Sequence, residues 1–119
     1  MKYGPETPTV KAFIRHLKGM TKEQRAVVII TWYAASDATL GAALDAAFYA
    51  ARDALAPTVL YAARDAARDA ASDAAVCNAA VYAIYEIFGA AIMRERNQPF
   101  YFLPMFGFES PEAVLENDQ

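Results

Sequence analysis

Few side chains in this sequence are suited to chemistry, and the most regular of them are aspartates. Asp37, Asp45, Asp53, Asp65, Asp69 and Asp73 all fall on one four-residue grid. A step of four residues turns an α-helix by about 400°, so successive grid positions drift by only about 40° and form one polar ridge. Asp65, Asp69 and Asp73 then stand one turn apart and can offer carboxylates to a hard cation. Helical bundles that hold metals with carboxylates use Glu together with a Glu-x-x-His motif on facing helices. That motif is missing here, and His16 is the sole histidine. The ridge is therefore expected to be a solvated acidic face, with metal chemistry on it the second alternative, and no metal ligand or cofactor is assigned.

His16 and Cys77 are the residues best suited to general-base or nucleophilic work near neutral pH. Nothing in the sequence brings them together, and Cys77 lies among alanines, where a small buried core residue is expected. Ser36, Ser72 and Ser110 sit in no nucleophile elbow, and there is no Gly-rich phosphate loop. No catalytic residue is assigned, and the expectation is a protein that is not an enzyme.

The remaining candidates are aromatic. Phe100, Tyr101, Phe102, Leu103, Met105, Phe106 and Phe108 crowd one short stretch broken by Pro104 and Gly107. Left in water they would make a large apolar patch of a kind monomers rarely carry. Either this segment straps across the chain's own helices, the favoured expectation, or it docks into another protein as candidate partner-binding residues. Tyr33, Tyr49, Tyr61, Tyr82 and Tyr85, with Trp32 and Phe48, are expected to give bulk to a core otherwise thin in side-chain area.

The elements that must position these groups are helices. Between Tyr33 and Ala75 the chain repeats two alanines, a variable residue and an aspartate, with Tyr-Ala-Ala-Arg-Asp-Ala occurring identically at 49–54 and 61–66. Alanine is the best helix former, and the paired alanines form a stripe that lets a neighbouring helix come close. The expected fold is all-α, a small bundle of alanine-rich helices in a single domain over 1–119, with a helical body over 1–97. Thr7 as cap and Pro8 at the first position open a helix over about 8–18. Thr21 and Gln24 form a capping box that opens a second, over about 22–55, either continuous or broken near Ser36. The run Val27-Val-Ile-Ile-Thr-Trp32 is apolar all round and is expected to be central and buried. Pro57 interrupts the grid. A third helix then covers about 58–95, with Asn97 and Pro99 ending it. Ser110-Pro111-Glu112 opens a short last helix over about 111–116.

The Ala-Ala-x-Asp tetrads over about 33–75 resemble alanine-rich helical segments of small bacterial and phage proteins, immunity proteins among them. The resemblance implies a helical scaffold and carries over no functional residue. Heavy use of Ala, Arg and Asp also fits a GC-rich bacterial or phage genome.

The net charge is −3, and the Lys and Arg residues are scattered along the chain. Nucleic acid is not an expected partner unless the fold gathers a local basic patch. Asp interrupts the alanine segment too often for a membrane span, no hydrophobic signal region opens the chain, and one cysteine permits no intrachain disulfide. A cytoplasmic protein without membrane contact is the expectation. In function it is expected to be a small non-enzymatic protein-binding module of the inhibitor, immunity or adaptor type. A self-assembling structural protein, such as a homodimer, is the first alternative.

Overall fold

The computed structural model describes residues 2–54 and 57–118, and over these the protein is all-helical, with no strand. After a 3-10 turn at Gly4–Glu6 come α1 (Thr7–Lys18), α2 (Lys22–Ala34), α3 (Asp37–Ala54), α4 (Pro57–Ala70) and α5 (Ala74–Glu95). A second 3-10 turn, Pro104–Phe106, precedes α6 (Pro111–Asn117). The centre is α5, which packs most extensively along α3, then α4, then α2.

The sequence explains why α5 is central. Apart from Glu86 it carries no charge from Ala74 to Met93, and Val76, Ile84, Ile87 and Met93 are wholly buried. By length and hydropathy α5 would suffice to cross a membrane. Yet 72% of its most apolar stretch is buried by the chain's own helices. Gly89 marks its closest crossing with α3. A Cβ there would stand 2.7 Å from the Ala50 Cβ and 2.8 Å from the Ala51 nitrogen, so at this point the small-residue stripe brings the two helices together.

Both expected long helices are divided. The 22–55 segment breaks at Ala35–Ser36, where Ser36 Oγ accepts the Thr39 N–H at 3.2 Å, and α2 and α3 meet at 111°. The 58–95 segment breaks at Ala71–Asp73, a correction to the continuous helix. Asp73 leaves the ridge and caps α5, its carboxylate accepting the Ala75 N–H at 3.1 Å. Length is the physical reason. A helix over 58–95 would run about 57 Å at 1.5 Å per residue, whereas the molecule measures 33 × 32 × 24 Å. Folding back is what lets the alanine stripes face α5. The break expected beside Pro57 involves residues 55 and 56, which lie outside the described residues; α3 ends at Ala54 and α4 begins at Pro57.

Other ends follow their capping residues. Thr21 and Gln24 make both bonds of the capping box, and Ser110 Oγ accepts the Ala113 N–H that opens α6. Asn97 adopts a left-handed φ of 55° and lets the Gln98 N–H close on Met93 O at 2.8 Å, ending α5. Thr7 differs from expectation. It is the first residue of α1, and its hydroxyl turns backward, donating to Gly4 O and accepting the Tyr3 N–H.

Candidate functional site

The aromatic segment after α5 is a strap on the chain's own helices. Phe102, Leu103, Met105, Phe106 and Phe108 are buried, while Phe100 and Tyr101 are half-buried. Phe102 lies 6.0 Å from Trp32 of α2 and 5.3 Å from Tyr82 of α5, ring centre to ring centre. Phe106 meets Phe13 of α1 edge-on at 5.1 Å, and Phe108 packs on His16 at 4.7 Å. Most of the side chains considered as partner anchors are thus occupied at home. Gly107, at φ 88°, supplies the left-handed turn that brings the Phe108 N–H to Leu103 O at 3.1 Å.

What holds the strap is Glu86, a residue the sequence-based expectations left out. Its side chain is wholly buried in the middle of α5. One carboxylate oxygen accepts the Leu103 N–H at 2.7 Å and the Phe102 N–H at 3.0 Å; the other accepts the Tyr101 N–H at 2.6 Å. Three successive backbone donors are satisfied by one side chain, two of them, on Phe102 and Leu103, buried. Burial pushes the carboxyl up to about 7, against the downward pull of these three donors. A signal was present in the sequence, since a lone acid inside a twenty-residue apolar helix is almost never buried without a partner. Its partners were not visible, because they are backbone groups.

The second correction concerns α2. Only Val28 is buried, with Ile29 and Trp32 half-buried on the same inner side. Val27, Ile30 and Tyr33 are 56%, 67% and 73% exposed. At 100° per residue these three span an arc of about 120° on the outer side, and exposed Ala26 and Ala34 fall within it. The run 27–32 is apolar on both sides of the helix, but it lies at the periphery rather than at the centre, and only its inner side is covered. Beside Val27 a cleft of about 190 Å³ opens between α2 and the strap, lined by Met20, Gln24, Met105 and Phe106. That is below the ~300–1,000 Å³ of small-molecule pockets and suits a single apolar side chain.

The aromatic core expectation also divides. Tyr85 is buried and Tyr82 half-buried, but Phe48, Tyr49 and Tyr61 join Tyr33 among the exposed residues. The repeated hexapeptide explains two of them. Arg52 lies over the Tyr49 ring and Arg64 over the Tyr61 ring, each 4.6 Å from the centre. In both copies the arginine also approaches the next aspartate, Asp53 at 3.4 Å and Asp65 at 3.5 Å. The same six residues make the same surface cluster twice, and Asp65 pairs with Arg64 rather than with Arg68.

The acidic ridge is not continuous. Asp65 and Asp69 are exposed on α4, Asp73 caps α5, and Asp53 is held by Arg96 of α5 at 2.7 Å, which draws its carboxyl below the usual range. Among the described residues no three of His, Cys, Asp and Glu gather as a metal-binding group. His16 is half-buried against Phe108, and burial lowers its pKa; Cys77 is half-buried on α5. Compared with known proteins, the chain matches no family model, no curated protein and no solved structure.

Proposed function

We propose that the chain is a non-enzymatic protein-binding module, of the inhibitor, immunity or adaptor class, from a bacterial or phage cytosol. The observation that supports this is the outer face of α2. Three large apolar side chains at more than half exposure, on a helix anchored by its other face, make a patch that water penalises and a partner surface would cover. The cleft lined by Met20, Met105 and Phe106 supplies the neighbouring socket that interface anchors fill.

The test is affinity capture from the native host with the wild-type chain and with Ile30→Ser/Tyr33→Ser. A protein retained by the first and lost by the second is the expected result. Capture that is identical for both moves the interface off α2. A self-assembling role draws on the same patch, which would then meet its own copy. Sedimentation at high concentration separates the two, since a dimer abolished by the double substitution favours self-assembly.

A further inference from the structure

Four cations between residues 2 and 18 are gathered on one side of the fold. Lys11, Arg15 and Lys18 follow one another along α1, and Lys2 joins them from the N-terminal turn. They rim an open trough of about 560 Å³ between α1 and α4. Lys11 and Lys18 lie seven residues apart, about 10 Å along the helix. Their clustering runs against the −3 charge of the whole chain.

Three further features of the trough narrow what fits it. The floor is apolar: half-buried Ile14, Ala66 and Ala70 line it, with the buried Tyr3 behind them. One edge is already engaged with a carboxylate, because Asp118, just beyond α6, pairs with the Arg15 guanidinium through both oxygens. The opposite wall carries one acid, Asp69 of α4. We propose that this trough binds an acidic peptide segment of a partner protein, its carboxylates meeting Lys2, Lys11 and Lys18 and its apolar side chains lying on Ile14, Ala66 and Ala70. A nucleic-acid strand fits less well. Its phosphates would leave the apolar floor uncovered, and beyond the trough it would meet an acidic molecule. This inference is independent of which protein covers α2.

The experiment is fluorescence anisotropy on the full chain with three labelled probes. These are a short peptide of Glu and Leu at helical spacing, the same peptide with Ser for Leu, and a single-stranded oligonucleotide. The Glu/Leu peptide is expected to bind best, and its affinity to fall with salt. Lys11→Glu/Lys18→Glu, both at exposed positions, is expected to weaken it about tenfold or more with an unchanged circular dichroism spectrum. Asp69→Asn is expected to tighten it. Equal binding by the charge-reversed protein, equal binding of the Glu/Ser peptide, preference for the oligonucleotide, or no binding at low salt would each overturn the proposal.

Discussion

The strap over 100–108 and the outer face of α2 are both short, strongly apolar stretches, and the fold treats them in opposite ways. The strap has no regular helix to satisfy its backbone, yet it is buried. The α2 face belongs to a well-capped helix, yet it stands in water. The difference lies in what each is offered by the rest of the chain. Glu86 gives the strap three hydrogen bonds, and Phe13, Trp32 and Tyr82 give it ring contacts on three helices. Among the described residues the outer side of α2 receives nothing comparable, because α5 and the strap contact the inner side where Val28 is buried. Apolar content makes burial favourable, but matched partners decide which apolar surface is buried.

The sharpest way to break this contrast is to remove the strap. Truncation after Gln98 uncovers Phe13 and Trp32 and takes away all three donors of Glu86. We expect loss of cooperative thermal unfolding by circular dichroism and of dispersed methyl resonances. A truncated chain that melts cooperatively would mean the strap is accessory. Next in size is Glu86→Leu, which keeps the apolar environment and orphans three N–H groups. Each such group costs about 1–3 kcal/mol, so a loss on the order of 4 kcal/mol is expected in urea unfolding. A loss below 1 kcal/mol would show that the clasp is dispensable.

Titration sharpens the same point. The folded-state carboxyl of Glu86, at about 7, lies above its ordinary 4.5. The part of its stabilisation that depends on its being protonated is therefore complete below pH 4.5, declines between 4.5 and 7, and is gone above that window, a swing on the order of 3 kcal/mol. Subtracting the pH–stability curve of Glu86→Gln from that of the wild type should isolate this decline. A difference curve that is flat or rises with pH would show that the three N–H donors outweigh burial.

Gly89→Ala touches neither region and calibrates the scale of core damage. Its new methyl meets the Ala50–Ala51 backbone, and about 2 kcal/mol of destabilisation is expected by chemical denaturation. No change would mean that α3 yields easily. The smallest effect belongs to α2. Ile30→Ser/Tyr33→Ser should shift stability by no more than about 0.5 kcal/mol per site. A larger loss in the same denaturation experiment would show that the outer face contributes to the fold.

Capping chemistry was the most legible part of the fold. Thr21 with Gln24, Ser36, Ser110 and Asn97 mark ends through local bonds that residue type and spacing reveal. The end of α4 was hidden because Asp73, its successor's cap, occupies the same grid position as Asp65 and Asp69. One residue type serves as ridge or cap according to whether the helix must turn. The α2 face was hidden because an all-round apolar helix does not state which side its neighbours take. The basic trough was hidden for a related reason. Lys11, Arg15 and Lys18 share one face of α1 by their spacing, but the N-terminal turn and α4 must fold against that face before it becomes a trough. Glu86 itself was in plain view, but its partners are main-chain amides of residues whose side chains drew attention instead.

The Glu86 clasp also bears on how the chain acquires its shape. Its hydrogen bonds join residues only 15 to 17 positions apart, so the ring they close is small and its entropic cost modest. The pairing of Arg15 with Asp118 spans 103 positions. Helix α5 and its strap thus form a hairpin of local contacts, able to assemble early, onto which α1 docks through Phe13. Until that docking occurs, the rings of Phe106 and Phe108 face solvent. In any state where this hairpin is formed and α1 is not docked, those two rings are apolar surface open to self-association.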